Sequence, residues 1–197
     1  MITLESKFLI KSGENSLEYL FEYLNKFKSN KKLLIIDHNI KNLKIIKDLI
    51  INFKKRVKKY KFFFYQSKHE PTYENLNLIK KKFLKNGFEI IVAIGGGSTL
   101  DFSKGLSLLL KNKGNSEKYM GFPKNLNKPI PVIAIPSTFN TGSEIVYNAV
   151  FTSKKQKKKL GINYDQNFPI LAILEPKLIN TSPKKLILSS AYSVFCR

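Results

Sequence analysis

The chain is short of the residues that most often announce a chemistry. It has a single cysteine, Cys196, among 197 residues. That excludes a disulfide within the chain and makes the cytoplasm the default location. Tryptophan is absent, and the only histidines are His38 and His69, both read as surface groups and not as ligands. Arginine is nearly missing: Arg56 and Arg197 are the only two, and every other basic residue is lysine. Acidic residues are also few, 14 against 35 basic ones, for a net charge of +21. Such a charge invites a nucleic-acid or acidic-membrane partner. Arginine, however, supplies the planar forks that grip phosphates and base edges. Its scarcity argues against specific nucleic-acid binding, and the charge is read as a lysine-rich solvated surface. Asparagine, isoleucine and phenylalanine are plentiful, as a general compositional drift would produce. No run of about 18 uncharged apolar residues exists to span a membrane. Residues 1–6 lack the basic stretch and apolar run of a secretory signal.

What is present is organised around residues 90–104. Ile90-Ile91-Val92-Ala93-Ile94 reads as a fully buried strand. Gly95-Gly96-Gly97 follows, and Ser98 stands three residues before Asp101, the spacing of a helix N-cap. Strand, glycine turn and helix start together form an anion site. The helix N-terminus carries unpaired N–H groups and a partial positive charge, and glycine lets a phosphate approach the backbone. The turn is not the spaced G-x-G-x-x-G fingerprint. It is read as a phosphate-binding turn for a nucleotide.

The rest of the chain alternates strand and helix. Strands are predicted at 7–10, 33–36, 62–65, 131–136 and 170–174, and helices at 15–28, 41–58 and 72–86. The last of these has Leu76, Leu78, Ile79 and Phe83 as its apolar positions. Residues 145–152 and 158–163 pair as a hairpin, and Ser182-Pro183 opens a terminal helix running to Arg197. Buried strands joined by helices give an α/β fold, a doubly wound, mostly parallel sheet of Rossmann-like type. Ligands in such sheets bind at the carboxyl ends of the strands, where Asp37 and Gly95 both fall. A carboxylate there accepts hydrogen bonds from a ribose and repels a 2′-phosphate. The hydroxyl-rich stretch 137–144 adds groups able to bind phosphate or ribose, although such hydroxyls also satisfy themselves within turns.

Gly95-Gly96-Gly97-Ser98-x-x-Asp101-x-x-Lys104, followed by Pro136-Ser137-Thr138-x-x-Thr141-Gly142-Ser143-Glu144, resembles the iron-containing alcohol dehydrogenase family. That family shares its fold with dehydroquinate synthase. Glu175-Pro176-x-Leu178 and Pro183-x-x-Leu186 fit its next segment. Residues 117–121 and the Lys-Lys-Leu-Gly-Ile run at 158–162 resemble the 3-deoxy-octulosonate 8-oxidase branch. The resemblance implies an NAD-dependent oxidoreductase acting on the CH–OH group of an alcohol or sugar. It implies that Asp37 contacts the adenosine ribose and that Gly95, Gly96, Gly97 and Ser98 bind the pyrophosphate. Ser137, Thr138 and Thr141 would line the cofactor, and Asp101 and Lys159 would lie near the nicotinamide and substrate. It further implies a divalent metal, iron or zinc, held by an Asp and a His four residues later together with later histidines.

The two helical metal positions correspond here to Ser193 and Arg197. Serine is a poor ligand and arginine a permanent cation. The expectation is therefore an NAD-binding domain over 1–181 and the first helix of a helical metal and substrate domain over 182–197. On this reading the chain is a truncated or decayed member that binds nucleotide with little or no catalysis. An alternative is a non-catalytic nucleotide-binding or regulatory module pairing through its terminal helix, and a third is a basic nucleic-acid-associated protein. The implied partners are the substrate and a second copy or a complementary C-terminal piece.

Overall fold

A computed structural model describes residues 8–27, 31–66, 70–139, 141–185, 187, 188 and 192. In chain order the elements are β1 (Leu9–Ser12), α1 (Glu18–Leu24), β2 (Lys32–Asp37), α2 (Lys44–Arg56), β3 (Tyr60–Tyr65), α3 (Tyr73–Phe83), β4 (Ile90–Gly95), α4 (Gly97–Lys111), β5 (Val132–Pro136), β6 (Asn148–Ser153), β7 (Lys158–Asn163), β8 (Leu171–Leu174) and α5 (Pro176–Ile179). Six strands form one sheet in the order β1-β8-β5-β4-β2-β3, with every neighbouring pair parallel. β6 and β7 make a separate antiparallel hairpin. No helix among the described residues is long and apolar enough to cross a membrane.

The continuous apolar runs exist because helices cover both faces of the sheet. Successive strand side chains point to opposite sides, and two cores follow. Leu33, Ile35, Ile91, Ala93, Val132 and Ala134 face α3 and α4. Leu34, Ile36, Val92, Ile94, Ile133 and Ile135 face α1, α2 and α5. The hairpin lies across α3 and α4. The Tyr73 hydroxyl donates to the Leu160 carbonyl at 2.6 Å, and the Thr152 N–H donates to the Pro71 carbonyl at 2.9 Å.

Several expectations are adjusted. Helix α1 is shorter than 15–28. α2 begins only after a one-turn 3-10 helix at His38–Ile40, because the Asp37 carboxylate accepts from the Asn39 N–H at 2.9 Å and starts that turn first. Leu78 is 65% exposed: Leu76, Ile79 and Phe83 already define one helical stripe, and position 78 falls off it. α5 is an unanticipated single turn, capped by the buried Glu175 with Pro176 at its first position. Residues 184, 185, 187, 188 and 192 are helical, with Leu188 60% and Tyr192 71% exposed. His69, Ser193, Cys196 and Arg197 lie outside the described residues.

Candidate nucleotide site at the carboxyl ends of the strands

From β2 the chain winds outward to β3, then returns to β4 on the other side of β2 and continues through β5. The reversal places a crevice between the carboxyl ends of β2 and β4, where ligands of open parallel sheets sit. Ile36 pairs with Ile94, so Asp37 and Gly95 come next to each other at that crevice. A Cβ on Gly95 would stand 2.8 Å from the Asp37 Cβ and 2.8 Å from the Thr99 Cβ and Oγ1. This approach is closer than side chains tolerate and accounts for glycine there. The Asp37 carboxylate accepts from the Asn39 N–H and, at 3.3 Å, from the Thr99 hydroxyl. Each oxygen keeps a lone pair.

The N-cap of α4 is Gly96, with no side-chain cap, and not Ser98, as the sequence spacing suggested. Ser98 sits in the first helical turn and is exposed. The helix starts two residues earlier than a Ser98 cap requires, directly after β4 ends at Gly95. The α4 ladder begins with Thr99 and Leu100, which donate to the Gly96 carbonyl at 2.9 and 3.1 Å. The N–H groups of Gly97 and Ser98 therefore stand outside the ladder at the positive end of a 15-residue helix.

The 137–144 turn closes over the glycines from the β5 side. A Cβ on Gly96 would lie 3.4 Å from the Thr138 Oγ1, and one on Gly97 would lie 3.4 Å from the Thr141 Cβ. The Ser137 N–H donates to the Gly95 carbonyl at 2.9 Å, and the Ser137 carbonyl accepts from the Ser182 hydroxyl at 2.7 Å. Two hydroxyls of the turn spend their protons internally. Thr141 donates to the Glu144 carboxylate, and Ser143 donates to Asp101 at 2.5 Å. Beyond the turn a cavity of about 310 Å³ opens between the ends of β1, β5 and β8, with Thr138, Phe139, Glu144, Leu174 and Ile179 in its wall.

Asp101 lies one turn into α4. Its carboxylate also accepts from the Val150 N–H at 3.0 Å and lies 3.1 Å from the Lys104 ammonium. Lys104 is fully buried. It donates to the carbonyls of Ser143 (3.0 Å), Val146 (3.2 Å) and Asn148. Burial pushes its pKa below the ordinary lysine value, against the pull of Asp101. Asp101 and Lys104 thus pin the turn and the start of β6 onto the helix. Lys159 stands on β7 and is ion-paired with Glu70, both side chains about half exposed.

The structure gathers Asp37, Gly95, Gly96, Gly97, Ser98, Ser137, Thr138 and Thr141 around one crevice. Glu144 was missed as a site residue, although its spacing from Thr141 is that of a hydroxyl–carboxylate pair on one turn. Lys104 stood in the family motif, but its clamp on the 143–148 segment was not read from it. Among the described residues, no three His, Cys, Asp or Glu side chains gather as a metal site. His38 is half-buried, with its Nε2 2.8 Å from the Lys41 ammonium.

A glycine turn opening onto an uncapped helix, beside a strand-end carboxylate at the reversal of a parallel sheet, is an arrangement at which open α/β folds of the Rossmann type hold ligands. The sequence model of one group of such proteins, iron-containing alcohol dehydrogenase, matches residues 9–176, and the chain belongs to that family. It is 34% identical over 116 residues to alcohol dehydrogenase 4 of Schizosaccharomyces pombe, covering 59% of this chain and 28% of that protein. It is 34% identical over 109 residues to the NAD-dependent methanol dehydrogenase of Bacillus methanolicus, covering 55% of this chain and 28% of that one. The crystal structure of sulfoacetaldehyde reductase from Bifidobacterium kashiwanohense in complex with NAD+ superposes with a TM-score of 0.84 at 24% identity, over 96% of this chain and 50% of that one. The chain spans about half the length of that solved structure and less of the two relatives named.

Proposed function

We propose that the chain binds NAD across the carboxyl ends of β2, β4 and β5, as the nucleotide-binding part of an oxidoreductase that interconverts an alcohol and its carbonyl compound. The observation that carries this reading is Asp37 packed against Gly95 at the sheet reversal, beside the open N-terminus of α4. The free N–H groups of Gly97 and Ser98 bind the pyrophosphate. The lone pairs of Asp37 accept from the hydroxyls of the adenosine ribose, and its charge repels a 2′-phosphate, selecting NAD over NADP. Ser137 and Thr138 line the crevice from the β5 side.

Asp101 is assigned to the nicotinamide side and Lys159 to the substrate side. The fixed position of Asp101, one turn below the phosphate turn, supports the first assignment. Bound in this crevice, NAD would supply the hydride acceptor for alcohol oxidation, the hydroxyl proton leaving separately, and NADH the donor for the reverse. The described residues do not form a metal ligand set.

Calorimetry on the purified chain tests the reading. NAD binding is expected, and Gly96→Asp is expected to abolish it by placing a carboxylate against the pyrophosphate. Absence of both binding heat and a melting shift at about millimolar NAD, a concentration within the usual range for cofactor and substrate sites, overturns the proposal.

A further inference from the structure

The crevice presents its polar groups in a fixed order. On the β2 side stands Asp37, a carboxylate that can only accept hydrogen bonds. In the middle stand the N–H groups of Gly97 and Ser98, which can only donate. On the β5 side stands Thr141, whose Cβ is within van der Waals reach of a Cβ placed on Gly97. A threonine hydroxyl has one proton and two lone pairs. Here the proton goes to the Glu144 carboxylate, which has none to return. Thr141 therefore offers the crevice lone pairs only. Along the line from Asp37 through the Gly97 and Ser98 N–H groups to Thr141 the order is acceptor, donors, acceptor, with the Thr138 hydroxyl set apart beside Gly96.

We propose that Glu144 is a positioning residue that fixes Thr141 as a hydrogen-bond acceptor, and that this makes the site selective for a ligand of the form ribose–pyrophosphate–ribose over one ending in the phosphates. Ribose hydroxyls bring donors and a pyrophosphate brings only acceptors, so such a ligand matches the three zones in sequence. A nucleoside diphosphate satisfies the first two zones and leaves Thr141 without a partner. With Glu144 absent, the Thr141 hydroxyl turns its proton toward the crevice and serves a terminal phosphate as well as a ribose. The proposal rests on the NAD reading and adds what sets the length of the ligand.

The test is a calorimetric panel on the full chain with ADP, ADP-ribose and NAD. Thr141→Val is expected to weaken ADP-ribose and NAD by about fivefold, the worth of one hydrogen bond, with ADP unchanged. Glu144→Ala is expected to lower the preference for ADP-ribose over ADP by a similar factor. Glu144→Gln, whose amide oxygen still accepts from Thr141, keeps the wild-type ratio. Melting curves confirm that each variant is folded. Should Thr141→Val not fold, the two Glu144 variants make the same comparison. Equal weakening of ADP and ADP-ribose by Thr141→Val means that the hydroxyl donates to phosphate and overturns the proposal, as does an unchanged ratio in Glu144→Ala. Failure of all three ligands to bind the wild-type chain overturns the NAD reading, and this inference with it.

Discussion

Two carboxylates near the glycine turn have different surroundings, and these set different consequences for their loss. Asp37 is half-buried and starts the 3-10 turn after β2 while facing the crevice. Asp37→Asn keeps an acceptor for the Asn39 N–H but removes the charge. The expected result is a stability loss within about 1 kcal/mol, the scale of a cap interaction, with a roughly tenfold loss in NAD affinity and a smaller discrimination against NADP. Thermal melts and parallel titrations with the two nucleotides measure this. Asp101 is paired with a lysine that has no exposed surface. Lys104→Met retains the bulk but leaves Asp101 without its cation and three carbonyls without the ammonium donor. A loss of about 3–5 kcal/mol is expected, as for breaking a buried pair from one side, and Asp101→Asn added to Lys104→Met should recover part of it. Burial lowers the Lys104 pKa in the folded chain, so between that lowered value and the ordinary 10.5 the unfolded chain binds more protons. Stability contributed by this group therefore rises with pH across that window. Denaturant titrations from pH 8 upward should show the wild type gaining on Lys104→Met; a constant gap would mean that the buried amine is not the cause.

At the scale of elements, the hairpin is seated on α4 by a missing side chain. A Cβ on Gly105 would come within 2.5 Å of the Phe151 ring and 3.0 Å of Leu76. Gly105→Ala should therefore destabilise by about 1–3 kcal/mol through overpacking, although alanine is the better helix former by about 1 kcal/mol. Phe151→Leu in the same chain should restore most of the loss, and Phe151→Leu alone should leave a cavity and be destabilising. Urea midpoints for the three variants close that cycle. This contact also marks where the sequence stops being legible. The four inner strands of the main sheet were readable because their apolar runs are continuous, and the glycine turn because three glycines and a following helix have few other uses; the exposed edge strand β1, Leu9–Ser12, falls two residues later than the 7–10 expected. The hairpin was readable as two strands, but its seat on α4 was not. A glycine inside a helix signals close approach without naming the partner, and Phe151 is 46 residues away in sequence. The same holds for Lys104, whose carbonyl partners Ser143 and Val146 lie in the irregular segment before β6 and whose third, Asn148, is the first residue of that strand. The Ser98 cap was misread because the Ser-x-x-Asp spacing cannot report that α4 already starts at Gly97, with Thr99 and Leu100 bonded to the Gly96 carbonyl, while Asp101 is taken up by Lys104, Ser143 and Val150; tertiary contacts overrode the local signal.

For the whole molecule, the dominant fact is a charge of +21 carried almost entirely by lysine. Among the described residues the ion pairs are few and mostly at the surface, such as Arg56 with Glu18 and Lys177 with Glu14. Each such pair is worth little, so local pairing leaves most of the repulsion uncompensated. Repulsion among exposed charges is screened by salt over a Debye length of about 10 Å at 0.1 M, shortening to about 3 Å at 1 M. The folded chain holds its lysines closer together than the unfolded chain does, so added salt should favour folding. The melting midpoint should rise between about 0.05 and 0.5 M sodium chloride, because the screening length falls well below typical surface charge separations. The same charge should give the chain a nonspecific affinity for DNA at low salt that collapses above about 0.2 M, as counterion release requires. NAD affinity should change far less over that range, because on the proposed reading its pyrophosphate meets N–H groups at a helix end and not lysines. A melting midpoint that falls with salt would place the lysine charges in favourable pairs throughout. DNA binding that persisted above about 0.2 M would identify a built nucleic-acid surface and make the lysine excess a functional feature.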